Sequence, residues 1–304
     1  MNIKNQVIKG HIAVFLADVI WGLNAPIGKA ALQHISALSL TTFRMTGAAL
    51  SFLLLSLFLP REKVAPADKI RLFFAGLFGV AINQGFFILG LSHTSPVNAS
   101  IVTTTLPIIT MLFAALFLRE PITGKKIIGI LLGASGALIL ILGNGGFSFT
   151  GSMKGDLFCL LAQASVALYL TLFKKLFTRY SPFTVLTWMF CFASLCFVPF
   201  SWHEVAAISY GALSGMAWAQ IAFVVFGGTF LAYIGFQIGQ KYLRPTVVST
   251  YNYVQPVVAT IAAVWAGMDT FGLNKAVAVV LVFLGVYFVT LSKSRSQMEG
   301  LKRG

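Results

Sequence analysis

Charge is scarce in this chain. Only 10% of its 304 residues are Asp, Glu, Lys or Arg, and just eight are acidic. Soluble domains carry about a quarter charged residues, and they need them to keep their surface solvated. With 58% hydrophobic residues and a mean hydropathy of +0.87, a soluble domain is excluded and a bilayer becomes the natural solvent. Other shortages narrow the chemistry. There is no H-E-x-x-H, no phosphate-binding glycine loop and no cysteine pair at ligand spacing, so neither a metal nor a cofactor is expected. The three cysteines, Cys159, Cys191 and Cys196, all sit in apolar stretches and read as small apolar residues. The four histidines (His11, His34, His93 and His203) fall near the ends of apolar runs. No polar stretch is long enough to hold a soluble domain.

What is present is a series of ten apolar runs, near residues 10–31, 36–59, 70–91, 96–117, 125–143, 155–176, 182–201, 215–238, 244–266 and 273–292. Each has about the 20 residues that a membrane-spanning helix needs. Lys4 and Lys9 precede the first run as in a secretory signal. The run continues through Trp21, Asn24 and Pro26 without a small-residue cleavage pattern, and reads as an uncleaved span. The net charge of +14 would suggest a nucleic-acid partner in a soluble protein. Its placement argues against one. With the N-terminus in the cytoplasm and sides alternating, 18 of the 22 basic residues fall on the cytoplasmic side; Lys29, Lys154 and Lys275 fall outside and Arg44 within a span. This is the positive-inside pattern, with both termini cytoplasmic and an even number of spans.

The chain also resembles itself. A shift of 149 residues superimposes Phe74 on Phe223, Gly79 on Gly228, Phe87 on Phe236, Gly90 on Gly239, Pro96 on Pro245, Pro107 on Pro256 and Gly136 on Gly285 without a gap. A weaker register at 145 pairs Asp18 with Gln163, Lys29 with Lys174, Ser36 with Ser181 and Thr42 with Thr187. The unit is five spans. An odd number makes the second copy enter the membrane from the opposite side, so the expected fold is all-α and polytopic, ten transmembrane helices as two inverted five-helix repeats, 1–146 and 147–304. Inverted repeats suit alternating access, because two halves of opposite orientation can exchange conformations around one site.

Four stretches carry a family resemblance: Trp21-Gly22-Leu23-Asn24-Ala25-Pro26-Ile27-Gly28-Lys29; Phe43-Arg44; Pro96 to Pro107 leading to Arg119-Glu120-Pro121; and Gly133 to Gly143. In this order, over essentially the whole chain, they resemble the EamA-type transporters of the drug/metabolite transporter superfamily. The second half departs from the pattern, with Asp269-Thr270 in place of Glu120-Pro121 and Met189 in place of Arg44, so the halves of any cavity are chemically unequal. The resemblance implies an inner-membrane carrier with a central cavity, exporting small metabolites, amino acids or drugs. Its partners would be a small-molecule substrate, the lipid bilayer and in some modes protons, with the chain a monomer or a homodimer. The missing phosphate loop points to secondary rather than ATP-driven transport.

Asp18 and Arg44 lie about halfway through the first two spans, where a charge is costly and normally faces a cavity or a partner. Two readings stand side by side. Asp18 carries a proton or anchors a substrate amine while Arg44 clamps a carboxylate; or the two form a buried structural pair. Lys29 shares a helix face with Asp18 but is close enough to the outer end to snorkel to water. Uncharged polar candidates for the pathway are Asn24, Asn83, Gln84, Thr103, Tyr233, Gln237, Tyr251, Asn252 and Gln255, with Trp21 as an aromatic wall one turn from Asp18. Pro107 and Pro256 occupy matching positions and free the carbonyls of Thr103 and Asn252 from helical hydrogen bonds. Paired interruptions of this kind mark transport sites. Trp188, Trp218 and Trp265 suit either cavity walls or interfacial anchors, and Trp202 an anchor. Gly133-Ala134-Ser135-Gly136 matches a pattern found around intramembrane serine nucleophiles, the basis of an alternative reading as an enzyme acting on lipid or peptide. No histidine lies at its depth to serve as a base, so close helix packing is the better reading. A channel or structural role is the third possibility, weakened by the inverted repeat.

Overall fold

The structure is a computed structural model that describes residues 3–60, 62–94, 96–143, 153–265, 267, 270, 272–293 and 297. Its described residues contain no strand and ten helices long and apolar enough to cross a membrane. They are span 1 (Lys4–Gly28), span 2 (Ala37–Ser56), span 3 (Pro66–Gly90), span 4 (Ala99–Leu118), span 5 (Gly124–Leu142), span 6 (Met153–Leu172), span 7 (Pro182–Ala206), span 8 (Gly215–Tyr242), span 9 (Pro245–Trp265) and span 10 (Leu273–Thr290). Hydrocarbon offers no partner to backbone groups, so each span satisfies its own. Where helices begin in water, side chains finish the job: Ser36 and its repeat mate Ser181 accept hydrogen bonds from the backbone amides of Ser39 and Thr184.

The apolar runs locate every span, and several ends differ from the sequence expectation: span 1 begins at Lys4, span 3 at Pro66, span 8 ends at Tyr242, and spans 6 and 7 end elsewhere than expected. Span 7 runs past Pro199 to Ala206 rather than stopping near 201. Ser201 hydrogen-bonds the Phe197 carbonyl, which keeps the turn after the proline closed, and Trp202 faces outward at 61% exposure. Span 6 stops at Leu172, and Lys174–Arg179 forms a separate short helix. Lys174 turns back and donates to the carbonyls of Gln240, Lys241 and Leu243, at the C-terminal end of span 8. Burial pushes its amine down to about 8. The side chains of Lys29 and Asp269, and residues 61, 144–152 and 294–296, lie outside what is described.

The two halves interlock. Span 1 packs on span 8, span 3 on span 6, span 2 on span 7 and span 5 on span 10. Glycines set the closest approaches, and they do so symmetrically. A Cβ on Gly79 would meet the ring of Tyr169 at 2.7 Å, and one on Gly228 would fall on Asn24. Gly79 and Gly228 are mates at the 149 shift, and Asn24 and Tyr169 are mates at the 145 shift. A Cβ on Gly136 would strike the Ala278 carbonyl and Val282 amide, and one on Gly285 would strike the Gly129 carbonyl and Gly133 amide. Ser135, the candidate nucleophile of the alternative reading, is on the exposed side of span 5, and its flanking glycines are packing surface.

Both ends of the described chain lie at one face, here termed the terminus face. Gly10 packs beside Tyr242 and Leu243, and Arg244 donates to the Ser292 and Lys293 carbonyls. Gly285→Val is expected to lower the thermal unfolding midpoint in detergent, because its Cβ would sit 2.5 Å from one backbone atom and 2.6 Å from another. Overpacking of this kind costs about 1–3 kcal/mol. Gly124→Ala, with nothing within 4 Å, is expected to leave the midpoint unchanged.

Candidate functional site

Spans 3, 4, 8 and 9 are not uniform helices, and their irregularities fall in matching places. Span 3 carries a wide π turn over Leu77–Ile82 and span 8 one over Phe223–Leu231. Such turns often mark functional sites because they leave carbonyls to other partners. The Phe78 carbonyl accepts from Ser165, and the Val224 carbonyl from Thr229. Span 4 breaks after Thr103 and resumes at Leu106; span 9 breaks into a tight turn over Tyr251–Tyr253. The prolines anticipated as interruptions, Pro107 and Pro256, follow these breaks within the resumed helices.

The freed groups meet each other. Asn252 Nδ2 donates to the Thr103 carbonyl at 3.3 Å, and the Tyr253 hydroxyl donates to the Thr104 carbonyl at 3.2 Å. Both contacts join residues 149 apart, the repeat shift itself. Residues that touch their own mates lie beside the pseudo-two-fold axis, so the axis passes through the two breaks.

Around this point is a cavity of about 290 Å³ built from both halves. Of the residues anticipated from sequence, Asp18, Trp21, Asn24, Arg44, Asn83, Gln84, Thr103, Tyr233, Asn252 and Gln255 line it. Asp18 is 1% exposed; its Oδ1 accepts from Gln255 Nε2 at 2.7 Å, and the same nitrogen reaches Asn252 Oδ1 at 2.8 Å. Asp18 Oδ2 and Asn24 Oδ1 are buried without a hydrogen-bond partner. A buried acceptor left in this way costs about 1–3 kcal/mol, and in a cavity it is a place for a ligand's donor or a proton. Arg44 Nε donates to Thr229 at 2.9 Å and Nη1 to Gln84 at 3.3 Å. The structural Asp18–Arg44 pair therefore does not form: the ion pairs among the described residues are Arg71–Asp68, Arg179–Asp68 and Lys126–Glu120. Asp18 and Arg44 are each held instead by neutral side chains of other spans, which leaves a carboxyl and a guanidinium at separate places in the cavity.

Two anticipated residues lie elsewhere. Gln237 is one helical turn beyond Tyr233, toward the terminus face, where its Oε1 accepts from the Tyr169 hydroxyl at 2.7 Å and Gln240 also reaches that hydroxyl. Tyr251 is swung by the tight turn onto His11, with 2.8 Å between its hydroxyl and Nδ1. Both residues form the closed floor of the cavity rather than its wall. Gln163, a polar residue of span 6 and the mate of Asp18, also lines the cavity; Ser249 in its wall and Thr229, which fixes Arg44, were not anticipated. The repeat register pointed to Gln163; nothing in the sequence marks a π turn that presents Thr229.

Among the tryptophans, Trp21 is the cavity wall. Its indole donates to the Gly228 carbonyl at 2.8 Å, and its ring lies edge-on to Tyr233 and Phe236. Trp265 is 92% exposed, as an interfacial anchor would be. A second cavity of about 280 Å³ continues away from the terminus face, past Ser100, Leu140, Pro256 and Thr260. It shares Trp21, Thr103, Asn252 and Gln255 with the first, a waist at the two breaks.

Gly228→Ala is expected to destabilise the protein, because the new methyl group collides with the Asn24 side chain. Adding Asn24→Ala should remove most of that cost. Thermal melts of the two single variants and the double variant would show a coupling of about 0.5–3 kcal/mol; additive effects would contradict the contact.

The chain matches the EamA-like transporter family twice, over residues 8–142 and over 153–291. An uncharacterized transporter of Archaeoglobus fulgidus is 25% identical over 282 residues, 93% of this chain and 99% of that one. The uncharacterized transporter YyaM of Bacillus subtilis is 24% identical over 91% of this chain and 93% of its own. Protein WALLS ARE THIN 1 of Arabidopsis thaliana is 28% identical over 94% of this chain and 84% of its own. A solved crystal structure, 20% identical, shares the fold with a TM-score of 0.77 over 93% of this chain and 96% of that one. Ten membrane-spanning helices, a cavity assembled from both halves and two successive matches that together cover most of the sequence place this membrane protein in the EamA-like transporter family.

Proposed function

We propose that the protein is a secondary transporter that exports small polar or amphipathic metabolites, amino acids or drugs across the bacterial inner membrane by alternating access. Both termini lie in the cytoplasm on this reading, since 18 of the 22 basic residues then fall on that side. The moving units are the two five-helix halves, 1–146 and 147–304. The observation that carries the reading is Asp18: a carboxylate at mid-membrane, 1% exposed, in a cavity formed by both halves, with one oxygen held by Gln255 and the other unsatisfied.

The geometry suits this work. A ligand amine or a proton can take the open oxygen of Asp18, and a ligand anion can approach the face of Arg44 not used by Thr229 and Gln84. Trp21, Phe87, Tyr233 and Phe236 offer apolar walls. Tyr169 with Gln237, and His11 with Tyr251, close the way to the terminus face, while the second cavity continues toward the opposite one. In this conformation the site therefore communicates away from the cytoplasm.

Cells overproducing the protein should grow at higher concentrations of some toxic amino-acid analogues or drugs than control cells. Asp18→Asn, present in the membrane at normal levels, should abolish that resistance. Resistance retained in the variant would remove Asp18 from the mechanism, and no resistance to any compound would count against export. Arg44→Lys should weaken export of carboxylate-bearing compounds by about tenfold or more, because an ammonium cannot reproduce the two-nitrogen hold on Thr229 and Gln84. Initial efflux rates measure it.

A further inference from the structure

Two buried carboxylates join the halves at the terminus face: Asp68, bonded by Arg179 and Tyr180 of the second half at 2.7 and 2.8 Å, and Glu120. Span 4 ends at Leu118, and Arg119 takes the left-handed conformation at φ 53°, which folds Glu120 back so that its amide bonds the Ala114 carbonyl. Glu120 is only 8% exposed. Its Oε2 accepts from Lys126 Nζ at 2.9 Å, within the first half, and from the Thr246 hydroxyl at 3.0 Å, in the second half. Lys126 and Thr246 are both fully buried. Thr246 belongs to the first turn of span 9, the half-helix that leads directly to Ser249 and Asn252 in the cavity wall.

The repeat allows a comparison with the opposite face. By the 149 shift, Glu120 corresponds to Asp269, Lys126 to Lys275 and Thr246 to Val97. Valine has no hydroxyl to donate. The matching position, 97, therefore lacks the side-chain hydroxyl that Thr246 offers. Lys275 Nζ donates to the nearby Thr270 carbonyl at 2.8 Å. In a two-state carrier with inverted repeats, each face closes by the same kind of movement. A hydroxyl–carboxylate contact between the halves that one face has, and whose hydroxyl is missing from the matching position at the other, biases the equilibrium toward the state in which the first face is closed.

We propose that Glu120 is a positioning residue for transport: through Thr246 it holds the first half of span 9 against the first repeat and so sets the resting preference for closure at the terminus face. The inference rests on the alternating-access reading above. Its central prediction is that Thr246→Val, which installs at this face the residue found at the mirror position, weakens that preference without abolishing it, since Asp68 still holds Arg179 and Tyr180 across the halves.

The test uses the full chain with Cys159, Cys191 and Cys196 replaced, carrying spin-label pairs at exposed positions on each face. Lys125 and Lys175 report the terminus face; Gln33 and Asn274 report the opposite face. Thr246→Val should move population by about tenfold, the weight of a hydrogen bond to a charged group, to longer Lys125–Lys175 and shorter Gln33–Asn274 distances. Thr246→Ser, which keeps the hydroxyl, should match the parent chain; a purely packing role for Thr246 would make serine the more disruptive change. Unchanged distances in a folded Thr246→Val variant would overturn the proposal. A parent chain with one fixed distance at each face, unmoved by a compound it exports, would remove the alternating-access reading itself and the proposal with it.

Discussion

Two helices break in the middle of a membrane, at Thr103–Thr104 and at Tyr251–Tyr253, and the groups freed by one break are bonded by the other. At this depth a freed carbonyl must be met by another protein group or by water in a cavity. The inverted halves meet there and supply such groups: Asn252 serves Thr103, its own mate, and Tyr253 serves Thr104. The rest of the architecture follows. Spans 4 and 9 must touch at their centres, so the cavity has to lie beside the axis. Spans 1 and 6 then pack against the third helix of the other half, on Gly228 and Gly79. The waist shared by the two cavities is built from Trp21, Gln255 and the residues at the breaks.

Symmetry of the backbone contrasts with asymmetry of the chemistry. Asp18 has Gln163 as its mate, and Arg44 has Met189. The first half thus supplies both charges, and the second half supplies the neutral groups that hold them, Gln255 for Asp18 and Thr229 for Arg44. A carrier needs equivalent backbones to reach two mirror conformations, but it needs only one ligand site. Sequence drift at the cavity costs nothing in the exchange of conformations, whereas loss of a packing glycine such as Gly136 or Gly285 would.

Much of this was legible beforehand. Hydropathy located the ten spans, since a bilayer imposes length and polarity on each helix independently of its neighbours. The prolines and glycines at one shift gave the repeat, and the rarity of buried charge singled out Asp18 and Arg44. What escaped was set by tertiary geometry. The π turn that presents Thr229 has no local signature. Whether Asp18 pairs with Arg44 or with Gln255 depends on helix rotation that periodicity does not resolve. Tyr251 and Gln237 were sound as polar residues in spans, yet a tight turn and one extra helical turn put them in the floor. The role of Glu120 became visible only once Thr246, 126 residues away in the other half, was seen to meet it.

On the alternating-access proposal, the contact between the two breaks is the pivot of the cycle. The most direct test is an experimental structure of the protein in the opposite access state, trapped with a compound it exports. On this proposal Asn252 should still meet the Thr103 carbonyl, while Tyr251 leaves His11 and Thr246 leaves Glu120. Separation of Asn252 from Thr103 with the Glu120–Thr246 contact intact would contradict it.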